Sequence, residues 1–321
     1  CVALLLSAYA SGAMAQSFTP QQLDEWLKAG ASFETGKDSG PLVQAEKAII
    51  ESAADPKLRA ASEASLLRAL ETATTREGRG FLCRQLYIVG TVRCIPLLEK
   101  LLADPDASHM ARYVLARLEY PEAAVALHRA LAGTSGAARV GIINSLGELR
   151  HEPAVNDLVE LLQSDDLESA SAAARSLGCI GDRHAVKALR DRRNTAPSGL
   201  RQRIDHALLF AAEGAVTVGR TDEAAATYRL FYTDEFPIHF RRAGLRGLMG
   251  IEGAAPTDLL VKAIQDEDPV VRSQMIAIMT DAQGSSATRM FANLLPSLPV
   301  DSQIEMLSML AVRGDSAAVP A

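Results

Sequence analysis

Six histidines are spread along the chain, His109, His128, His151, His184, His206 and His239. Histidine is the commonest metal ligand and the usual general base near neutral pH, so these residues are where chemistry would be looked for first. They recur about once per predicted helical hairpin, and stacking would bring some of them together. The sequence holds one His-Glu dyad, His151-Glu152, and a single dyad cannot build a carboxylate-bridged di-metal centre. Pro153 follows it, so the pair reads as a polar turn. The grouped carboxylates Asp165-Asp166 and Asp266-Glu267-Asp268 fall at predicted helix ends. There they cap the following helix or stay solvated. G-x-G-x-x-G, the Walker loop, G-x-S-x-G and H-E-x-x-H are all missing from the sequence. The expectation is a protein that is not an enzyme, with no catalytic residue, cofactor or metal ligand.

Binding is the chemistry that remains, and the charge is unevenly placed for it. Residues 183–246 hold 12 basic and 7 acidic side chains, net +5, whereas residues 247–321 hold 4 and 9, net −5. The whole chain is net −6 with a pI near 5.6, a poor match to the phosphate field of a nucleic acid. The positive stretch also carries Tyr228, Phe231, Tyr232, Phe236 and Phe240. Arginine beside aromatics is the usual composition of a binding hot spot. The bland alternative is that the aromatics fill the core and the arginines are solvated. The candidate partner-binding residues are Arg190, Arg193, Arg201, Tyr228, Tyr232, Arg241 and Arg242. The expected partner is another protein with an acidic segment, or an anionic glycan.

The elements that must position these residues are helices. Apolar residues make up 48% of the chain and aromatics only 5%, so small aliphatic side chains carry the core, which suits close helix packing. Thr19, Pro20 and Gln22 predict an N-cap, a first helical position and a capping box. Leu23, Trp26 and Leu27 follow as an apolar face, and Gly30–Pro41 reads as a loop. From Leu42 onward the chain repeats. Small-residue helices open Arg112–Leu131, Arg139–Leu162 and Ala170–Arg193, and Gly147 and Gly178 are read as breaks before second, amphipathic helices. Equivalent positions are Arg84, Arg112, Arg139, Ala170, Arg201, Arg241, Arg272 and Gln303, with steps of 28, 27, 31, 31, 40, 31 and 31 residues. About 30 residues is one helical hairpin with its turns. A single hairpin cannot bury its own apolar faces, and a stack of them can.

The opening residues of two units, Asp55-Pro56-Lys57-Leu58-Arg59 and Asp268-Pro269-Val270-Val271-Arg272, resemble the D-P-x-V-R start of HEAT repeats. Ser176–Val186 (SLGCIGDRHAV) resembles the A-L-G-x-I-G-D-x-x-A-V core of the short, phycobilisome-lyase type of HEAT repeat, and Asn144–Val155 is a looser copy. The resemblance covers roughly residues 42–315. It implies an all-α α-solenoid, a superhelix of about nine stacked helical hairpins. It further implies a polar ladder from the Asp and Arg positions, and second helices lining the inner face. Gly219–Tyr228, inside the 40-residue step, is closer to a tetratricopeptide helix, so one longer unit is expected. Enzymes of the HEAT class are weighed on the same residues. One His-Glu dyad falls short of a deoxyhypusine hydroxylase, charge and compartment disfavour a DNA glycosylase, and a bilin lyase is a remote alternative.

Residues 1–15, CVALLLSAYASGAMA, carry no charge. The apolar run Val2–Leu6 leads to Ala13-Met14-Ala15, an A-x-A cleavage pattern that would leave Gln16 as the mature N-terminus. The stretch is expected to be a signal peptide that lacks its basic beginning, and the protein periplasmic or secreted. It is too short to span a bilayer, and no other apolar run is long enough. Cys83, Cys94 and Cys179 remain after cleavage. Cys83 and Cys94 either bridge across one hairpin, which export permits, or stay as buried thiols, the reading their irregular spacing favours. The final DSAAVPA opens a helix pattern without a polar cap, so the array is expected to continue. The sequence divides into 1–15 as signal peptide, 16–41 as N-terminal helix and loop, and 42–321 as repeats. The function expected is a non-enzymatic binding scaffold outside the cytoplasm. The alternative is an accessory repeat domain of a larger exported enzyme or complex.

Overall fold

The computed structural model describes residues 18–319 except 234, 252–256, 267, 281 and 283, with the backbone alone for 257–259. The expected signal peptide lies outside the described residues. The chain divides into two compact units, Cys1–Leu149 and Arg150–Ala321. Among the described residues every regular element is helical. The first unit holds α1 (Pro20–Ala31), α2 (Gly40–Ser52), α3 (Pro56–Glu71), α4 (Arg76–Val89), α5 (Ile95–Leu101), α6 (Ser108–Leu115), α7 (Pro121–Leu131) and α8 (Gly136–Glu148). The second holds α9 (Val155–Leu162), α10 (Leu167–Ile180), α11 (Arg183–Thr195), α12 (Ser198–Thr217), α13 (Thr221–Phe231) and α14 (Ile238–Met249), then α15 (Thr257–Ile264), α16 (Pro269–Thr280), α17 (Gly284–Leu294) and α18 (Val300–Arg313).

Within each unit, most helices pack on the next in the chain and on the one after that. In the second unit α10, α12, α14, α16 and α18 follow one another on one side. This is an α-solenoid of stacked hairpins. Its core is aliphatic in the first unit, with Leu66, Leu82, Leu86, Leu98, Leu115 and Leu127 fully buried, and gains Phe231, Phe240 and Phe291 in the second.

Local chemistry sets the helix ends. Thr19 and Gln22 form the predicted capping box, with Leu23 and Leu27 buried below it. Asp55 accepts from the amides of Lys57 and Leu58, Asp182 from Ala185, and Asp268 from Val270. Each side chain satisfies backbone donors that the helix itself leaves unpaired. The repeat position has its own task. Arg139 donates to the Thr134 carbonyl at 2.6 Å, Arg201 to Ala196 at 3.1 Å, Arg272 to Asp266 at 2.8 Å and Gln303 to Leu298 at 2.9 Å. In all four, the side chain reaches back to a carbonyl in the turn before its own helix. Arg59 instead reaches forward, donating to the carbonyls of Val89 and Gly90.

Three sequence expectations are corrected. The predicted loop ends early, because Pro41 sits in the first turn of α2, where its missing N–H costs nothing. Gly147 and Gly178 are not breaks, since α8 and α10 run through them. In α10 the stop is Gly181, at φ +63° in the left-handed region that favours glycine. A Cβ on Gly178 would stand 2.6 Å from the Ala207 carbonyl oxygen, so its place is close helix approach. The 40-residue step arises because α12 alone spans 20 residues.

Cys83 and Cys94 are free, buried thiols. Burial pushes both up to about 12, helped at Cys83 by Cys94 and at Cys94 by the Glu63 carboxylate. Between an ordinary thiol value of about 9 and that value, the unfolded chain loses protons that the folded chain keeps. Stability must therefore fall as pH rises through this window, by up to about 1.4 kcal/mol per pH unit for each thiol. Urea unfolding between pH 9 and 11.5 should show this slope, and the Cys83→Ala/Cys94→Ala variant should lose most of it, keeping the part above pH 10 that the raised Tyr228 phenol contributes. An unchanged slope would show that the thiols are not the groups titrating.

Candidate functional site

The positive stretch occupies α11 to α14, and most of its arginines are engaged by their own fold. Arg183 and Arg220 converge on Glu223, at 2.7 and 3.1 Å. They hold its carboxyl below the usual range, the Arg183 hydrogen bond contributing most. Arg220 also donates to the Gly181 carbonyl. Arg190 donates to the Thr227 hydroxyl at 2.7 Å, and Arg192 to the Leu162 carbonyl. Arg193 donates to Asp205 and lays its guanidinium over the Phe236 ring, 4.2 Å from the centroid. Burial raises the Asp205 carboxyl, while Arg193 opposes that shift. Arg241 pairs with Asp266 at 2.9 Å and lies above Tyr232.

The aromatics are core. Tyr228 is 5% exposed and Tyr232 3%. Phe231, Phe236 and Phe240 touch one another, with centroids 5.0 to 6.2 Å apart. Burial, with Glu213 nearby, pushes the Tyr228 phenol up to about 12. These residues fill the long unit, so Tyr228 and Tyr232 offer no surface to a partner, which corrects the sequence expectation. Arg193 and Arg241 are structural by the same token. Arg190 is half-buried and tied to α13. Of the seven candidates, Arg201 and Arg242 are exposed, and Arg201 closes its own turn.

Residues outside the seven candidates lie beside Arg242. Helix α12 buries Leu200, Ile204, Ala207, Leu208 and Ala211, which turns Arg203, His206 and Phe210 outward. Phe210 is 48% exposed. Helix α14 buries Phe240, Leu245 and Leu248 and exposes His239, Arg242 and Arg246. The His206 and His239 rings are stacked with centroids 6.4 Å apart, and both lean on Phe240. The signal that could have found them is the helical wheel of α12, on which 203, 206 and 210 fall within about 60° of one another, on the side away from Ile204, Leu208 and Ala211.

In the first unit a shallow groove of about 440 Å³ runs between α5 and α7, lined by Val92, Ile95, Pro96 and Val125. The Glu99–Arg129 pair, 3.1 Å apart, lies along it. Among the described residues no group of three or more His, Cys, Asp and Glu side chains could hold a metal. His151 and Glu152 lie in the turn before α9. No helix of the described residues is long and apolar enough to cross a membrane.

Residues 123–208 match the family model for HEAT repeats. Both short-repeat motifs, NSLGELRHEPAV and SLGCIGDRHAV, fall inside that span. No curated protein matches the chain. Among solved structures, it is similar to human deoxyhypusine hydroxylase in complex with glycerol at 17% identity, over 71% of this chain and 88% of that one, with a TM-score of 0.37. It is similar to the CpcE–CpcF complex of phycocyanin lyase from Nostoc sp. PCC7120 at 20%, over 68% and 93%, with a TM-score of 0.37. For Kap121p the identity is 10%, over 93% of this chain and 46% of that one, with a TM-score of 0.43.

Proposed function

We propose that this chain is a non-enzymatic scaffold that binds another protein and acts outside the cytoplasm. The observation that supports binding is the repeated outward face of the helices. The stack holds side chains at the hairpin period on rigid elements, and α12 and α14 present cations and an aromatic ring side by side. A surface of that kind offers register and charge to a partner at little ordering cost. Export rests on the uncharged segment 1–15 and its A-x-A end.

Two measurements test the reading. Expressed from its full gene in a Gram-negative host, the protein should leave the cytoplasm with a mature N-terminus at Gln16, read by mass spectrometry. An unprocessed cytoplasmic chain would refute the export half. A photo-crosslinking amino acid placed in turn at the exposed helix positions should trap a discrete protein partner in the same compartment. Failure at every position would refute the scaffold half.

A further inference from the structure

The positive stretch can be sorted by what each cation already does. On α11 and at the start of α13, Arg183, Arg190, Arg193 and the N-cap residue Arg220 are held by Glu223, Thr227, Asp205 and the Gly181 carbonyl. Lys187 pairs with Asp191, and Arg241 of α14 with Asp266. Among the described residues, Arg203 and Arg242 make no ion pair or hydrogen bond, and both are exposed. Arg201 and Arg246 are exposed beside them, and the acid on these two helices that is exposed with them is Glu213. Glu235 stands exposed just ahead of α14. Four arginines, Arg201, Arg203, Arg242 and Arg246, thus stand exposed on α12 and α14.

The geometry of that face is fixed by its rings. His206 and His239 stack at 6.4 Å, so the two outward strips lie side by side in register. Short turns join α12 to α13 and α13 to α14, which makes α12 and α14 run the same way. Arg203 stands one turn before His206, and Arg242 one turn after His239. The two residues thus flank the imidazole pair, their backbone positions offset by roughly 9 Å along the helix direction at 1.5 Å per residue. Phe210 lies a further turn along α12, with nearly half its surface open.

We propose that this face of α12 and α14 docks an acidic segment of a protein partner that carries an apolar or aromatic residue between its carboxylates. Arg203 and Arg242 take the carboxylates, and Phe210 with the two imidazoles takes the apolar side chain. The exposed ring is what favours a peptide over a uniform polyanion, which would use the cations alone. An exposed ring beside cations is the composition of a binding hot spot. The inference rests on the scaffold reading and names its site.

The test uses the whole chain and a fluorescein-labelled synthetic peptide of glutamates around a central Trp-Leu pair. The peptide should bind in low salt and weaken as the Debye length falls from about 10 Å at 0.1 M. Arg203→Glu/Arg242→Glu should weaken it by about tenfold or more, and Phe210→Ser should weaken it at unchanged charge. Lys187→Glu, a reversal on α11, should leave it within about twofold. Melting temperatures should stay constant, because none of these side chains is buried. Should the double reversal unfold the chain, Arg203→Gln with Arg242→Gln serves in its place. Peptide binding that survives the reversals, or no binding to the parent chain, overturns the site. Binding of heparin or duplex DNA at this face without the peptide overturns the assignment of partner. In each case crosslinks elsewhere on the chain would leave the scaffold reading standing.

Discussion

Gly178→Val should be among the most damaging single substitutions in this protein. Helix α10 crosses α12 at Gly178, and a Cβ there would stand 2.6 Å from the Ala207 carbonyl oxygen and 2.9 Å from its Cα and Cβ. The Ala207 carbonyl oxygen and Cα are backbone, so they cannot swing aside, and the two helices must separate. Overpacking of this kind costs about 1–3 kcal/mol and occasionally more. Gly178→Ala regains about 1 kcal/mol of helix propensity, so its net loss should be about 0–2 kcal/mol. Valine adds two methyl groups without that return, and should cost about 3 kcal/mol or more. Helix α12 contains its own control. A Cβ on Gly214 meets nothing within 4 Å, so Gly214→Ala should stabilise by about 0.5–1 kcal/mol. Urea unfolding of the three variants checks the contrast. Equal effects of alanine at 178 and 214 would show that α10 and α12 do not approach this closely.

That glycine also marks where sequence reasoning stops. The run Gly178-Cys179-Ile180-Gly181 has two glycines three apart, and one-dimensional pattern cannot say which ends the helix. The backbone dihedral at 181 and the neighbour of 178 decide it, and both are tertiary facts. Features that depend on adjacent residues were legible. The Thr19–Gln22 box, the Asp166 and Asp268 caps and the hairpin period all appear as expected. The repeated arginine was found as a marker; at Arg139, Arg201 and Arg272 it closes the preceding turn, whereas Arg112 bonds Ser145 and Arg241 pairs with Asp266. The candidate site was legible only as a net charge. Counting arginines by segment merges those facing Asp205, Thr227 and Glu223 with those facing solvent. Counting them by helix face separates the two sets, because burial on α12 and α14 follows the helical period. The aromatics misled for a related reason. A 40-residue unit has more interior to fill than its neighbours, and Phe231, Phe236 and Phe240 fill it.

The Arg193–Asp205 pair is where a reversal planned from sequence would fail as a surface test. Both side chains are largely buried, 16% and 7% exposed, and the guanidinium also covers Phe236. Removing one partner of a buried pair leaves the other charge without compensation, at about 3–5 kcal/mol. Arg193→Ala should therefore destabilise by about that much near neutral pH. The loss should shrink in acid. Burial already raises the Asp205 carboxyl, and Arg193 is the largest influence opposing that shift. Without the arginine, the folded variant holds the Asp205 proton to higher pH than the unfolded chain, whose carboxyl titrates at about 3.9. The folded state then binds more protons across that window, so its stability falls as pH rises through it and recovers as pH falls. Asp205→Asn removes the charge at nearly constant shape. Added to Arg193→Ala, it should restore part of the lost stability, with a coupling energy between the two sites of about 1–3 kcal/mol. Urea unfolding at pH 5 and pH 7 for the two single variants and the double measures all of this. Strict additivity, or an Arg193→Ala loss that does not change with pH, would mean that Asp205 is solvated and the pair does not hold α11 to α12.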